Sequence, residues 1–419
     1  WFGAGLKAYD LLAGRRGLGR TEWLSTSRTL AQLPGVQPRG LSGGVRYWDG
    51  QFDDARLAVL LARSAAAHGA HVLNHCAVTG LVHDGGKVAG VTLRDAIGGG
   101  EMTLAAGCVV NATGVWVDDV RALDHADEPS KTVRPMVAPS QGVHLVVDRA
   151  FLPGSDALMV PRTKDGRVLF AVPWLGKTVL GTTDTPRERV EREPAPLPQE
   201  VDFILGEAAR YLARAPTRDD VRSVWVGMRP LVRPGGGEAG DTKAISREHV
   251  VVTAPSGLVT VTGGKWTTYR AMAEDVLERC MAQGLLPRRP GGLTERLPLI
   301  GAAPGRPLSE PPGEHLYGSE AAALHALPGA ERWLWKDAES GRGALSEAMV
   351  RFAARHELAQ SVEDVLARRC RLLFLDAAEA ERQAADVAAI LADELGERFD
   401  ADASVQAFSA LARQYRAVP

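Results

Sequence analysis

The chain has 419 residues, 45% of them hydrophobic, which is long enough for more than one domain with a sizeable core. Lysine and arginine total 49 against 51 acidic residues, and the net charge of -2 gives no overall attraction to nucleic acid. The 4 cysteines lack CxxC spacing, which excludes a zinc site and a disulfide scaffold and favours a reducing, cytosolic setting. No apolar run reaches the roughly 18 to 20 residues of a spanning helix, so the sequence predicts a soluble or at most membrane-peripheral protein.

The first third of the chain alternates in the manner of α/β units. Asp53 and Asp54 precede an apolar-periodic run, and acidic residues are favoured at a helix N-terminus. The predicted elements are helices over 2–13, from Asp54 through Ala65 and from Val115 to Leu123, and strands over 72–78, 87–95 and 108–114.

Between residues 134 and 184 the pattern changes to successive short strands, which predicts an antiparallel sheet. The segments are VHLVVD, ALMVPR, RVLFAVP and TVLGTTD, with KDG at 164–166 as a hairpin turn. A helix over 201–212 and strands near 221–226 and 250–252 are predicted to follow. The sheet is therefore inserted between α/β parts.

The segment VTVTGGKWTTYR, residues 259–270, predicts a strand that ends at two glycines and leads directly into a helix. Thr267 or Thr268 can cap that helix, while Lys265 adds charge beside its positive dipole end. This arrangement is typical of a binding site for an anion or a cofactor. The alternative is an ordinary βα turn with a solvated lysine.

Three cations stand next to predicted strands and could converge on one anion: Arg229, Arg247 and Lys265. Arginine and lysine together suit a phosphate or a carboxylate, although each residue taken singly fits a surface ion pair. His144 lies inside an apolar strand, where a satisfied core histidine is the alternative to a catalyst. Thr183 ends a strand, where a simple turn explains it equally well.

Proline and glycine become frequent from 287 to 313, which indicates an irregular connection. Beyond it, Ala- and Leu-rich periodic segments predict a helical domain, and no spacing supports a metal site. The predicted helices cover 321–327, 345–359, 362–375 and 380–395.

Seven motifs occur in one order along nearly the whole chain, and as a set they are specific. They are GQFDDARL, VVNATGVWVD, SQGVHLVV, VPWLGKTVLGTTD, VGMRPL, SREH and GGKWTTYR. The chain resembles the FAD-dependent glycerol-3-phosphate dehydrogenases in these motifs. The tail ARHELAQSVEDVLARRCRLLFLD is similar to that family's C-terminal domain and separates it from related amino-acid oxidases.

The resemblance implies an α/β, FAD-binding doubly wound fold with an inserted antiparallel-sheet substrate domain and an all-α C-terminal domain. The family's opening strand, GxGxxG turn and helix do not precede Trp1, so we expect a fragment that lacks the first βαβ unit. The predicted limits are 1–133 for the remainder of the FAD-binding domain, 134–255 for the substrate domain, 256–286 for the return segment, 287–313 for a linker and 314–419 for the helical domain.

Residue by residue, the resemblance implies roles in binding FAD and substrate. Arg229, Arg247 and Lys265 would hold the substrate phosphate with Thr183 nearby, and His144 would take the C2 hydroxyl proton. Arg229 and Lys265 are therefore grouped with His144 as catalytic candidates. The implied FAD contacts are Val78, Ala112, Thr113, Gly114, Gly263, Gly264, Lys265, Thr267 and Thr268.

The resulting hypothesis is oxidation of sn-glycerol 3-phosphate to dihydroxyacetone phosphate through FAD, with electrons passed to a membrane quinone. The resemblance implies a cytoplasmic protein that is peripheral on the inner face of the cell membrane. It implies no nucleic-acid partner and is compatible with a homodimer. Two alternatives stay open. One is an oxidase of the same family that uses dioxygen, and the other is a flavin-free remnant that binds phosphates.

Overall fold

The structure is a computed structural model that describes residues 2–14, 17–125, 133–163, 166–233, 248–303 and 308–419. Its α-helices are α1 (Phe2–Ala13), α2 (Thr26–Gln32), α3 (Asp54–Ala67), α4 (Val117–Leu123), α5 (Pro198–Tyr211), α6 (Tyr269–Ala282), α7 (Ala321–His325), α8 (Glu347–His356), α9 (Leu372–Leu375), α10 (Ala377–Leu395) and α11 (Ala401–Arg416).

Among the described residues, the strands form five sheets, one of them six-stranded. They are β1 (Glu22–Leu24), β2 (Gly44–Arg46), β3 (Cys76–Asp84), β4 (Lys87–Asp95), β5 (Glu101–Ala105), β6 (Val110–Asn111), β7 (Val137–Asp148), β8 (Leu158–Val160), β9 (Leu169–Trp174), β10 (Lys177–Gly181), β11 (Thr185–Pro186), β12 (Val221–Val232), β13 (His249–Thr253), β14 (Val259–Gly263), β15 (Trp333–Lys336) and β16 (Gly343–Ser346).

A small sheet in the order β13-β14-β6 forms the centre of the α/β part. Strand β14 runs parallel to β6, with Val259 opposite Val110 and Thr260 opposite Asn111. Because the carboxyl ends of parallel strands meet at one edge of a sheet, residues 112–114 and the GGK segment lie at the same edge. The predicted doubly wound fold is confirmed, and α4 and α6 follow the two strands as predicted.

The region 76–105 differs from the predicted α/β alternation. Strands β3, β4 and β5 form an antiparallel meander, and β3 begins at Cys76 rather than at residue 72. Gly85 and Gly86 join β3 to β4 with φ of +55° and +76°, a backbone conformation that favours glycine in tight hairpin turns. The sequence DGGK at residues 84–87 is typical of such a hairpin turn.

The antiparallel sheet of the inserted part is confirmed. Its order is β11-β7-β10-β9-β8, with β12 also paired with β7. Because side chains alternate along a strand, Val143, Leu145 and Val147 all point to one face, where they pack with α5 residues such as Ile204. The other face carries His144 and is available for a site. Of the predicted KDG turn, Lys164 and Asp165 lie outside the described residues.

The C-terminal part is helical as predicted and contains in addition the hairpin β15–β16. The single helix predicted over 362–375 is instead a π-helical turn, Asp364–Arg369, followed by Arg371 at φ +63° and the short α9. Helix α11 is absent from the sequence prediction, although Phe408, Leu411 and Tyr415 repeat at helical spacing and Asp400 caps it.

Ion pairs join α3 to the helical domain. Arg63 binds Glu320 through two nitrogen–oxygen contacts of 2.6 Å, and the buried Arg56 guanidinium pairs with the buried Glu357 carboxylate. Breaking one partner of a buried pair leaves an uncompensated charge, so these contacts fix the helical domain against α3. The predicted domain limits stay a prediction. These limits place strand β13 in the substrate domain, whereas β13 pairs with β14, which they place in the return segment.

Candidate active site

The first turn at the shared sheet edge follows β6. The Asn111 side chain is buried and donates from Nδ2 to the Val117 carbonyl at 2.9 Å, and its Oδ1 accepts from the Thr113 hydroxyl at 2.7 Å. Gly114 has φ of +62° and turns the chain into α4. Ala112 and Thr113 therefore lie exposed at the strand end, in a fixed conformation.

The second turn contains Gly263 and Gly264, with φ of +79° and +72°. An added Cβ at Gly263 would overlap the Glu248 carbonyl, and one at Gly264 would overlap Met272. The chain's own packing thus requires both glycines. The Thr262 hydroxyl donates to the Gly114 carbonyl at 3.4 Å, which joins the two turns.

The residues after the glycines are exposed on the same edge. Among the described residues, the Lys265 ammonium has no ion pair, so its charge is available to a ligand. The predicted threonine cap is wrong: Thr268 stands at the N-cap of α6, but its hydroxyl donates to the Lys265 carbonyl at 3.0 Å and accepts nothing from the helix. A short 3-10 turn, Trp266–Thr268, replaces that cap.

His144 and Arg229 are brought together on the cavity face of the antiparallel sheet. His144 lies opposite Trp225, and Ser140 lies opposite Arg229 across the same pair of strands, so all four residues share one face. Two glycines make room for the larger groups. An added Cβ at Gly142 would overlap the Arg229 guanidinium, and one at Gly181 would overlap the His144 ring.

The Arg229 guanidinium is held by the segment that follows β10. It donates to the Thr183 carbonyl at 3.1 Å and to the Thr182 hydroxyl at 3.3 Å, and it lies 3.5 Å from Asp184 Oδ1. Its side chain is 28% exposed. These contacts orient the planar group while part of it still faces solvent, which suits capture of an anion.

The His144 imidazole stacks on the Trp225 indole, with centroids 4.2 Å apart and planes 18° apart. Its Nδ1 is buried without a hydrogen-bond partner among the described residues. Burial, followed by the Arg229 charge, lowers the pKa of His144 from 6.5 to about 3. The ring is therefore neutral near pH 7 and able to accept a proton.

Thr183 does not face this site. Its hydroxyl accepts from the Val143 amide at 3.0 Å and donates to Glu200 Oε1 at 3.0 Å, which places it in the buried layer under α5. Both threonines lie in the connection between β10 and β11, and there the neighbouring Thr182 hydroxyl reaches Arg229 instead. The Thr183 hydroxyl therefore cannot make the substrate contact that the resemblance implies, and only the Thr183 carbonyl or Thr182 could make it.

Two other implied residues are not part of this cluster. Arg247 lies outside the described residues. Val78 lies on the β3–β4–β5 meander, half exposed, opposite Leu93.

A cavity of about 380 Å³ joins the three parts of the fold. Phe52 and Trp266 come from the α/β part, His144 and Thr182 from the sheet, and Arg371 from the helical domain. The Arg371 guanidinium lies 3.2 Å from the Asp54 carboxylate, and Asp54 also lines the cavity.

The local sequence around Arg371 does not indicate that this residue reaches the cavity, because its left-handed backbone interrupts a predicted helix. Trp225 could have been predicted from the sequence, because it lies an even number of residues before Arg229 and therefore on the same face of that strand.

Comparison with known proteins places the chain in a family. A family model described as FAD dependent oxidoreductase matches residues 3–270, and one described as the C-terminal domain of alpha-glycerophosphate oxidase matches residues 293–401. A mitochondrial glycerol-3-phosphate dehydrogenase of Arabidopsis thaliana is 39% identical over 94% of this chain and 66% of its own length. The human mitochondrial enzyme is 36% identical over 94% of this chain and 56% of its own length.

The chain thus spans somewhat less than two thirds of these relatives. Among solved structures, a glycerol-3-phosphate dehydrogenase from Bacillus halodurans complexed with FAD superposes with a TM-score of 0.76 at 26% identity, covering 94% of this chain and 80% of that one. Since the first family model matches more than half of the sequence, the chain belongs to the FAD-dependent oxidoreductases, and its resemblance to the glycerol-3-phosphate dehydrogenases is confirmed.

Proposed function

We propose that this protein oxidises sn-glycerol 3-phosphate to dihydroxyacetone phosphate with FAD as the hydride acceptor. One observation carries the proposal: His144 lines a cavity that Trp266, from the turn after GGK, also lines, and Arg229 lies on the same sheet face as His144. A proton acceptor therefore borders this cavity, with an anion-binding cation on the same sheet face and a residue of the glycine-rich turn in the cavity lining. The names of the relatives supply the substrate.

The residues at the sheet edge fit FAD. Two exposed turns joined by a hydrogen bond, with Lys265 beside them, provide amide groups and positive charge where a flavin would carry negative charge after reduction. Ala112, Thr113, Gly114, Gly263 and Gly264 would line the ring system, with Thr267 and Thr268 next to them. Val78 would lie along the adenosine half. When bound, FAD supplies the acceptor for the hydride from C2.

Arg229 would bind the substrate phosphate, because its guanidinium is oriented by Thr182 and the Thr183 carbonyl yet stays partly open. Lys265, and Arg247 outside the described residues, would add the further cations implied by the resemblance. His144 would accept the C2 hydroxyl proton, since its neutral ring borders the cavity. Trp225, Trp266 and Phe52 would exclude water.

The test is product formation. The protein purified with added FAD is expected to convert sn-glycerol 3-phosphate to dihydroxyacetone phosphate when a quinone analogue is present. Glycerol, which lacks the phosphate, should give no product because Arg229 then has no anion to bind. Flavin-loaded protein that turns over neither compound would refute the proposed reaction.

A membrane quinone is the proposed physiological acceptor. The match of residues 293–401 to the C-terminal domain of alpha-glycerophosphate oxidase favours dioxygen as the second candidate. The two acceptors differ in their product. We expect hydrogen peroxide under air to remain far below one equivalent per dihydroxyacetone phosphate, while a ratio near one would identify an oxidase.

We also propose peripheral contact with a membrane. Leu11, Leu12 and Leu18 are 84%, 85% and 68% exposed, and Lys7 lies on the same helix as the first two. Exposed apolar side chains beside basic residues suit an interfacial segment. Within the described ranges, no helix has the length and apolar character needed to cross a membrane. A homodimer stays a prediction of the resemblance.

Replacing Leu11 and Leu12 with serine is expected to weaken binding to anionic lipid vesicles about 100-fold or more, because burial of each leucine contributes roughly 1.5 to 3 kcal/mol. Vesicle co-sedimentation measures this. Replacing the exposed Leu293 with serine is the matched control, since it lies in the linker. Equal sedimentation of all three proteins would refute contact through α1.

Replacing Gly142 with alanine is expected to lower kcat/KM for sn-glycerol 3-phosphate roughly 10- to 100-fold, because the added methyl group displaces the Arg229 guanidinium. Gly227 lies directly opposite Gly142 on β12, and an added Cβ there meets nothing within 4 Å. Gly227→Ala is therefore the matched control and should keep its kcat/KM. Steady-state kinetics with a quinone analogue measures both, and equal losses would show that the close contact with Arg229 is irrelevant.

A further inference from the structure

The orientation of His144 is set by a ring contact rather than by a hydrogen bond. Among the described residues no hydrogen bond reaches the imidazole, and its Nδ1 is buried without a partner. The Trp225 indole covers one face of the ring at 4.2 Å. A carboxylate or carbonyl usually fixes a catalytic histidine, but among the described residues the imidazole has the indole stacked on one face and the Gly181 backbone close beside it.

Trp225 is itself held by the helical domain. The Phe374 ring of α9 meets the indole edge to face, with centroids 5.4 Å apart and planes 65° apart. The Tyr415 ring of α11 meets Phe374 at 5.4 Å and 78°, and the Tyr415 hydroxyl donates to Glu193 at 2.9 Å. A continuous series of rings therefore runs from the last helix to the imidazole.

Two further contacts hold this series in place. The buried Ser223 hydroxyl, two residues before Trp225 on β12, donates to the Leu373 carbonyl of α9 at 3.0 Å. The Arg371 guanidinium lies 4.0 Å from the Phe374 ring centroid and also lines the cavity. The Ser223 bond thus ties strand β12 to helix α9 close to the indole, and the Arg371 contact holds the Phe374 ring within the helical domain.

We propose that Trp225 is the positioning residue for His144, and that the helical domain contributes to the reaction by holding Trp225 through Phe374. The proposal rests on the proposed role of His144 as the proton acceptor. Without the indole, the imidazole is free to rotate about its side-chain bonds, and the fraction of molecules with the acceptor nitrogen aimed at the hydroxyl falls. Arg229 makes its contacts elsewhere, so phosphate binding is unaffected.

The experiment compares Trp225→Leu, Trp225→Phe and Phe374→Leu with the parent protein. Trp225→Leu should lower the limiting rate of FAD reduction by sn-glycerol 3-phosphate roughly 10- to 100-fold, with Kd for the substrate changed less than threefold. Trp225→Phe keeps a flat ring against the imidazole and should recover most of the rate. Phe374→Leu should fall between them. Trp48→Leu, at an exposed tryptophan away from the rings, is the control and should match the parent.

A second readout needs neither FAD nor turnover. In protein labelled with ¹³C at histidine, stacking on an indole shifts the His144 ring signal upfield, and His144→Asn assigns that signal. The shift should vanish in Trp225→Leu and persist in part in Trp225→Phe. If the parent shows the shift but is not reduced by substrate, the proposed reaction fails while the ring contact stands.

Two results would overturn the proposal. One is a Trp225→Leu protein whose reduction rate and His144 signal equal those of the parent. The other is loss of rate and substrate affinity together, to the same extent in Trp225→Phe, which would show that Trp225 supports the fold in general and does not orient His144.

Discussion

Replacing Arg229 with alanine is expected to reduce kcat/KM for sn-glycerol 3-phosphate roughly 100- to 1,000-fold, equivalent to about 3 to 4 kcal/mol. The loss has a physical basis in the site: Arg229 is oriented by Thr182 and Thr183, and its charge acts on His144. Most of the loss should appear in KM, because the phosphate is bound in both the ground state and the transition state. Rapid anaerobic reduction of bound FAD at several substrate concentrations measures both terms.

Two variants make this test specific. Arg229→Lys keeps the charge but loses the bidentate geometry, and it should recover only part of the loss. Arg222 lies on the same strand and pairs with Asp148 at 2.6 Å at an exposed position, so Arg222→Ala should keep the parent kinetics. An Arg229→Ala protein with unchanged KM and limiting rate would remove Arg229 from the phosphate site.

Replacing His144 with asparagine is expected to lower the limiting rate of FAD reduction roughly 100- to 10,000-fold, the usual contribution of a general base, while substrate affinity changes little. In the parent protein the His144 pKa is lowered to about 3, so the ring stays neutral from pH 5 to 8 and its protonation should cause no loss of rate in that range. A stopped-flow pH series measures the limiting rate, with His325→Gln, at an exposed position, as the control.

The same variant changes the acid stability with a defined sign. The unfolded protein takes up a proton on this histidine near pH 6.5, whereas the folded protein resists it down to about 3. The parent therefore loses free energy of unfolding as pH falls through this window, by up to about 1.4 kcal/mol per pH unit from this group. His144→Asn should lose less over the same range in urea titrations. An identical pH dependence would show that His144 is not buried in its neutral form.

The sequence predicted the two glycine-containing turns and the antiparallel sheet that carries His144, because both depend on local patterns. A strand that ends in ATG or GGK and leads into a helix predicts a shared edge, and β14 lies parallel to β6 as that pattern requires. The segment SQGVHLVVD predicts an apolar strand around His144, and the structure shows the other face of that strand packed against α5.

The parts that sequence reasoning missed depend on contacts between distant segments. Thr182 and Thr183 are identical in type, and only the folded connection between β10 and β11 shows that Thr183 bonds Glu200 while Thr182 meets Arg229. Arg371 reaches the cavity from more than 300 residues after Asp54, through a left-handed backbone that no periodicity signals. Trp225 matters through rings contributed by α9 and α11, and such packing is set by the fold as a whole.

The most direct measurement of the central claim is the visible spectrum of the protein purified with added FAD, recorded anaerobically before and after sn-glycerol 3-phosphate. The site described here predicts that the bound flavin bands bleach with this substrate and do not bleach with glycerol. Bound flavin that keeps its spectrum at saturating sn-glycerol 3-phosphate, yet bleaches with dithionite, would contradict the proposed function.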